Sequence, residues 1–212
     1  MQARYAPATP VCKGASYLRW RRRAILHRSH ATLEIVTTTL TDTATLATLV
    51  VELLHADSQA PERATTGSAG YDLRAYLRGR SIKCSDGSKV WEVAAESREA
   101  SEQFAIPSGV CALIPLGFKA RIPIGVEGQV RPRSGTSFKK GLQIPNAPGT
   151  IDSDFPDEWM VLVRNPLAHD VVVEHGERIA QLVFARYEVL AIENGSVAIT
   201  TSRVGGFGST GT

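Results

Sequence analysis

Three consecutive residues, Arg133, Ser134 and Gly135, have the types and spacing of an anion-binding corner. They follow an apolar run and begin a short segment with helix signals, Ser134 to Lys140, between Pro132 and Gly141. The first N–H groups of a helix attract anions, glycine lets a ligand approach the backbone, and guanidinium makes forked contacts with phosphate. The sequence therefore predicts a phosphate site here; the alternative is an ordinary N-cap serine beside a solvated arginine.

The C-terminal tail, residues 200–212, also has a composition suited to phosphate. Four glycines surround Phe207, Ser209 and Thr210. Such a chain is costly to order, so it is either flexible or ordered by a ligand that accepts many hydrogen bonds. A polyphosphate is such a ligand. We predict a flexible glycine-rich arm.

Two carboxylates, Asp152 and Asp154, follow a short run that begins at Asn146. Hydrolysis of a phosphoanhydride needs an aligned water and a base that takes its proton, and a carboxylate is sufficient. Composition does not choose between the two, and either could instead close a turn.

The elements that must position these groups are predicted to be strands. Short apolar runs are interrupted by Gly, Pro, Asn and Asp: VVELL, VCALIPLGF, EGQVRP, WMVLVRN, VVVEH and RIAQLVFARYEVL. We expect an all-β barrel or jelly roll with one short helix. Residues 1–45 are predicted to be a disordered extension, residues 46–199 the β domain, and residues 77–105 a polar surface insertion with a strand pair around Trp91.

Composition excludes several classes of protein. The chain has 212 residues, 43% of them hydrophobic, and no apolar run long enough to span a membrane. Its net charge of +3 comes from seven bases before the first acid, Glu34, so nucleic-acid binding is expected at most through that N-terminal arm. Three cysteines without CxxC spacing indicate reduced thiols and a cytoplasmic protein, or an organelle-targeted one if residues 1 to about 40 are a transit peptide.

Five ordered segments together resemble the motifs of the trimeric dUTPase family. They are SAGYDLRA at 68–75, RPRSGTSFKKGL at 131–142, NAPGTIDSDF at 146–155, GERIAQLVF at 176–184 and RVGGFGSTG at 203–211. The resemblance implies a β-clip type jelly roll that hydrolyses dUTP to dUMP and pyrophosphate, a homotrimer with shared active sites, and no membrane role.

The resemblance also assigns roles on the phosphate side. It selects Asp152 as the general base and gives Arg133, Ser134 and Gly135 to the phosphates. Asp72 and Gln181 would hold water molecules of a Mg²⁺ ion that the three phosphates bind, which suits the preference of Mg²⁺ for retained waters. In the arm, Phe207 would stack on uracil, while Arg203, Gly208, Ser209 and Thr210 would close over the phosphates.

On the uracil side, the resemblance implies that Asn146 to Asp152 forms a hairpin that reads the pyrimidine edge and excludes a 5-methyl group. Residues of this pocket are expected to be Asn146, Gly149, Thr150, Ile151 and, on the return strand, Met160. Phe155 stands where the family usually has Tyr, and its ring would block a 2′-hydroxyl.

Two positions depart from the family pattern. The glycine of the usual Tyr-x-Gly-Glu is Asp157, which we expect to tolerate left-handed dihedral angles in a surviving turn. Arg203 stands four residues before Phe207 where the family has five.

Two other functions compete. A dCTP deaminase, or a bifunctional enzyme, shares the resemblance, but Leu162 occupies the position of that family's catalytic glutamate and cannot move protons. A dUTP-sensing regulatory protein could dispense with Asp152, which this chain retains.

Overall fold

A computed structural model describes residues 47–98, 101–198 and 200–201 of the chain. Within them the strands are β1 (Val50–Leu53), β2 (Glu62–Arg63), β3 (Tyr71–Arg74), β4 (Ser81–Ser85), β5 (Val90–Ala94), β6 (Glu96–Arg98), β7 (Ser101–Ile106), β8 (Cys111–Pro115), β9 (Phe118–Arg121), β10 (Val126–Pro132), β11 (Gly149–Ile151), β12 (Met160–Arg164), β13 (Val171–Glu174) and β14 (Arg178–Arg186), with one helix, α1 (Ser134–Lys140). The predicted all-β class with one short helix is confirmed.

The strands form four antiparallel sheets. The largest has the order β11-β10-β14-β3-β2, the next has the order β12-β8-β4-β5, and the smaller ones are β13-β7-β6 and β1-β9. The largest sheet matters most for function, because four of its strands carry or border the predicted site residues.

The core lies where the inward faces of these sheets meet. In β4 and β13 buried and exposed residues alternate, as they do when one face of a strand is buried. Trp159, Phe118 and Leu73 are the largest fully buried side chains. Each such side chain contributes about 1.5–3 kcal/mol to folding through burial.

Helix α1 begins and ends at the predicted residues. Its N-cap is Arg133, whose backbone is extended and whose side chain makes no capping hydrogen bond, and Gly141 ends the helix with a φ of 67°. Ser134 is therefore the first helical residue, and the alternative of an N-cap serine is wrong.

The predicted surface insertion at 77–105 is wrong in its extent. Ile82 and Cys84 of β4 and Phe104 of β7 are buried in the core. These strands looked polar because their outward residues are charged or hydroxylated, whereas their inward residues follow the alternation of a half-buried strand. Of the described strands of this segment, only β5 and β6 are mostly exposed, and β5 pairs with β4 as the strand pair expected around Trp91.

The structure also tests what was expected of the last apolar run and of membrane-spanning segments. The run RIAQLVFARYEVL is a strand only as far as Arg186, and the residues that follow are exposed. No helix among the described residues is long and apolar enough to cross a membrane. Residues 1–45, nearly all of the arm at 200–212 and Cys12 lie outside the described part of the chain, so the domain bounds stay predictions.

Candidate active site

An ion-pair cluster joins three of the five motif segments, those at 68–75, 131–142 and 176–184. Asp72 on β3 accepts hydrogen bonds from Arg133 Nε at 2.8 Å and from Arg178 Nη1 at 3.1 Å, one on each carboxylate oxygen. Asp72 and Arg133 are mostly buried, with side chains 14% and 24% exposed. Charged hydrogen bonds in such a setting are strong and hold both partners in one geometry.

Gln181 lies directly beside this cluster. Cross-strand pairing places Gln181 of β14 between Asp72 of β3 and Arg131 of β10. Its Nε2 donates to the carbonyl of Pro132 at 2.8 Å. Gly70 makes room for it, because a Cβ at that position would lie 2.3 Å from Gln181 Oε1. Packing against Gln181 therefore explains the glycine at position 70 of SAGYDLRA.

The start of α1 is hydrogen-bonded to the same ion-pair cluster. Arg133 Nη1 and the Thr136 hydroxyl both donate to the carbonyl of Arg178 at 3.2 Å. Ser134 and Gly135 are exposed, and a Cβ on Gly135 would meet nothing within 4 Å. An open pocket of about 600 Å³ adjoins them, lined by Arg131, Pro132, Ser134, Ser137, Ala147, Pro148 and Gln181. We name this arrangement the phosphate corner: Asp72, Arg133, Ser134, Gly135, Arg178 and Gln181.

The segment from Asn146 to Ile151 runs antiparallel to β10, away from the phosphate corner. Gly149 pairs with Val130 and Ile151 pairs with Gly128. A Cβ on Gly149 would lie 2.9 Å from Asn146 Nδ2, so glycine is required for that close approach. Thr150 is exposed whereas Ile151 packs in the core.

Thr150 and Ile151 are both expected in the wall of the uracil pocket; the side chain of Ile151 packs in the core and that of Thr150 is exposed, and their roles in the pocket stay predictions. Successive residues of a strand point to opposite faces, so only one of the two can line a given pocket. Met160 starts β12, which pairs with β8 in another sheet, and it is half-exposed. It is not on a strand paired with β11.

The loop Asp152–Glu158, here called the base loop, follows β11. Asp152 is exposed, and its carboxylate has no hydrogen-bonding or ionic partner among the described residues. Phe155 is 42% exposed and borders a cleft of about 290 Å³. The cleft is lined by Val50, Glu52, Lys119, Ala120, Arg121, Ser153, Asp154, Phe155 and Pro156. Asp157 keeps a negative φ, so the expected left-handed turn is not used.

Within one chain, the base loop and the phosphate corner lie at opposite ends of β10. Ile151 pairs with Gly128, which places Asp152 at the level of Glu127, six residues from Arg133. At the rise of a strand this separation is roughly 20 Å. A single chain therefore does not bring Asp152 to the phosphate corner.

Comparison with known proteins identifies the family. The dUTPase family profile matches residues 99–211. A deoxyuridine 5'-triphosphate nucleotidohydrolase of Rhizobium meliloti is 44% identical over 165 residues, which is 77% of this chain and 90% of the relative. The chain belongs to the dUTPase family. The predicted family and enzyme class are confirmed.

Solved dUTPases share the fold. The chain matches a dUTPase from Streptococcus mutans with 27% identity and a TM-score of 0.50, covering 66% of this chain and 98% of that one. It also matches a dUTPase of Staphylococcus bacteriophage 80alpha with dUpNHpp at 23% identity and a TM-score of 0.59, covering 78% and 99%. These likenesses confirm the predicted all-β jelly roll of dUTPases.

One residue of the phosphate corner, Arg178, was missed in the sequence analysis. It stands three residues before Gln181, a spacing that places two strand residues on opposite faces. A register shift between Arg178 and Ala180 interrupts the pairing of β14 with β3, so that Arg178 donates to Asp72 although Asp72 is the cross-strand partner of Gln181. No signal in the sequence marked the bulge.

The arm motif of dUTPases lies outside the described residues. Arg203, Phe207, Gly208, Ser209 and Thr210 are all in this part, so their expected roles stay predictions. Of the other predicted site residues, the structure brings Asp72, Arg133, Ser134, Gly135 and Gln181 together and leaves Asp152, Phe155 and Met160 elsewhere.

Proposed function

We propose that this protein hydrolyses dUTP to dUMP and pyrophosphate, with Asp152 as the base that accepts the proton of a water attacking the α-phosphorus in line with the leaving pyrophosphate. The observation that carries the proposal is the preformed phosphate corner, in a chain 44% identical to a deoxyuridine 5'-triphosphate nucleotidohydrolase.

Arg133 is the residue of the corner suited to bind phosphate. Its Nε and Nη1 are held by Asp72 and by the carbonyl of Arg178, which leaves Nη2 for an anion in front of the exposed Ser134 and Gly135. Because α1 begins there, the free N–H groups of its first turn add to the attraction of an anion.

The corner fits a Mg²⁺ ion held through water. The described residues include no cluster of three His, Cys, Asp or Glu that could cage a metal. An ionised carboxylate has about four lone-pair sites, and the two arginines occupy two of those on Asp72, which leaves sites for metal-bound water. Gln181 offers its side-chain oxygen beside it. Mg²⁺ bound to the phosphates would neutralise their charge and make the phosphorus more electrophilic.

The separation of the base loop from the phosphate corner supports a homotrimer with shared sites. In it, the active site at the corner of one subunit would be completed by Asp152 and the uracil segment of a neighbour, with backbone groups of Asn146 to Thr150 reading the base. Phe155, and Met160 if the neighbour positions it, would contact the nucleoside. The arm, with Arg203, Phe207, Gly208, Ser209 and Thr210, would close the site and exclude bulk water.

A nucleotide panel tests the reaction. We expect the full chain with Mg²⁺ to release pyrophosphate rapidly from dUTP and slowly from dCTP, dTTP and UTP. Equal turnover of UTP and dUTP would contradict the role of Phe155, and formation of dUMP from dCTP would favour the bifunctional deaminase. A chain that binds dUTP tightly but never cleaves it would be a sensor.

A mixing experiment tests the shared site. Asp152→Asn lacks the base and Arg133→Met lacks the phosphate contact, so each variant alone should be inactive. If they are unfolded and refolded together, random assembly should place an intact corner next to an intact base in about a quarter of the sites. If the mixture stays as inactive as its components although mixed oligomers form, each site is built from one chain.

A further inference from the structure

We propose that Arg80 is a positioning residue of the reaction: its ion pair with Glu158 holds the base loop in the conformation that presents Asp152 and Phe155. The proposal rests on the proposed function of these two residues, but it arises from contacts of Arg80, Gly117 and Glu158, which lie outside the five ordered segments.

The base loop has few attachments of its own. Within residues 152–158, one backbone hydrogen bond, from Phe155 N–H to the carbonyl of Asp152 at 3.3 Å, closes the turn. Of the side chains in the loop, Glu158 alone has a hydrogen-bonding partner in the described part of the chain. The conformation of the loop therefore depends on what Glu158 contacts.

Glu158 is a doubly held and mostly buried carboxylate. Its Oε1 accepts the N–H of Gly117 at 2.9 Å, and its Oε2 accepts a short hydrogen bond from Arg80 Nη2. The side chains of Glu158 and Arg80 are 12% and 23% exposed. A carboxylate at this depth is costly to leave unpaired, so loss of the cation should make the loop rearrange until Glu158 reaches water.

The partners of Glu158 are themselves fixed. Gly117 has a φ of 74°, and a Cβ there would lie 2.5 Å from Ser58 Oγ, so its N–H direction is set by the surrounding packing. Arg80 Nη1 contacts His55 Nε2 at 3.2 Å, and His55 stacks on the buried Tyr76 with ring centroids 4.4 Å apart. Both partners of Glu158, Arg80 and Gly117, are therefore held in place by contacts that do not involve substrate.

Beyond Glu158 the chain is rigid. Trp159 is fully buried, and its backbone N–H donates to the carbonyl of Phe118 at 3.0 Å. At the other end Ile151 is paired in β11. Ile151 and Trp159 are thus two fixed points, and the Arg80–Glu158 pair acts on the seven residues between them, 152–158, which include Asp152 and Phe155.

The test compares Arg80→Met with Arg98→Met in the full chain. Arg98 makes the same kind of pair, with Glu96, but on the surface at 67% and 61% exposure. We expect Arg80→Met to lower kcat for dUTP by about 10-fold to 100-fold, since small misplacements of reacting groups have effects of this size. KM should change less, because the phosphate corner is untouched, and the preference for dUTP over UTP should fall. Arg98→Met should match the unmutated protein.

Hydrogen exchange of the loop, followed at its hydrogen-bonded Phe155 amide and at the Gly117 amide that Glu158 accepts, gives a readout in the substrate-free protein that catalysis does not influence. It should be faster in Arg80→Met, unchanged in Arg98→Met, and partly restored in Arg80→Lys. Glu158→Gln keeps an acceptor for Gly117 N–H and removes the ion pair, so it should reproduce the effect if Arg80→Met fails to fold.

Unchanged kcat and unchanged exchange in folded Arg80→Met or Glu158→Gln would overturn the proposal. So would a loss of kcat without any change in exchange of the loop. Absence of dUTP hydrolysis by the unmutated chain would instead count against the proposed function, while the exchange measurement would still decide whether Arg80 anchors the loop.

Discussion

The phosphate corner and the base loop differ in how the chain supports them. In the corner, Asp72, Arg133 and Arg178 are joined by ion pairs, and Gln181 is hydrogen-bonded to the backbone. In the base loop, Asp152 is exposed and, within the described chain, has no side-chain partner. The corner is complete within one chain, whereas the loop is only anchored at its ends.

This difference indicates how the site is assembled. Groups that bind a highly charged ligand benefit from being held in place before it arrives, since their ordering cost is then met by folding. Asp152, as the proposed base, must reach the water it activates, and its exposure within one chain leaves it accessible. Substitutions of the ion-paired corner residues should therefore affect structure as well as activity, and substitutions of the exposed loop residues Asp152 and Phe155 should affect activity alone.

The largest expected effect comes from Asp152→Asn. It should lower kcat for dUTP by about 100-fold to 10,000-fold, the usual contribution of a general base. Since the carboxylate has no partner in the described chain, the melting temperature and the affinity for a non-hydrolysable dUTP analogue should hardly change. Asp154→Asn, two residues on, is the matched control and should keep most activity. A large fall in melting temperature for Asp152→Asn would contradict the contrast drawn between loop and corner.

Next in size is the effect of Phe155→Ala on sugar discrimination. Removal of the ring should reduce the ratio of kcat/KM for dUTP over UTP by about 10-fold or more, a typical value for one steric contact. Tyr187→Ala removes an aromatic ring of similar exposure, 40% against 42%, and should leave the ratio unchanged. Phe155→Tyr should keep it as well. If Phe155→Ala still rejects UTP, the block against a 2′-hydroxyl lies elsewhere.

A smaller effect is expected from Gly70→Ala, which lies beside Gln181 of the corner but makes none of its ion pairs. The new Cβ would meet Gln181 Oε1 at 2.3 Å, and the flexible end of Gln181 would turn away. We expect kcat to fall a few-fold and the concentration of Mg²⁺ needed for half-maximal rate to rise, with little change in melting temperature. Gly67→Ala, where a Cβ would meet nothing within 4 Å, is the control. Equal behaviour of the two variants would show that the position of Gln181 does not matter.

The smallest effect is expected outside both regions, in the turn between β4 and β5. Hydrogen bonds from the Ser88 hydroxyl and from the N–H groups of Lys89 and Ser88 lower the pKa of Asp86 from 3.8 to about 2. A lowered carboxyl pKa stabilises the fold above pH 3.8, and this contribution is lost as pH falls towards 2. The difference in melting temperature between the unmutated protein and Asp86→Asn should therefore shrink over that interval. A titration of Asp86 near its ordinary pKa would contradict this.

Much of the fold could be read from local patterns. The helix at Ser134–Lys140 was bounded by Pro132 and Gly141, residues that act through their own backbone preferences. Most apolar runs became strands because a half-buried strand needs an apolar residue at every second position. The same alternation explains the error at 77–105. The polar outward residues of this segment outnumber the buried Ile82, Cys84 and Phe104, so the segment was taken for a surface insertion.

The amino-acid sequence by itself determined the family, the order of its motifs and the residue types of the phosphate corner, because these depend on side-chain chemistry and short spacing. Only the tertiary structure decided that Arg178 joins Asp72 through a bulge, that Ile151 faces the core, that Glu158 is held by Arg80, and that Asp152 lies far from Arg133 in one chain. These relations depend on register and on contacts between residues distant in the chain, and local patterns carry no information about either.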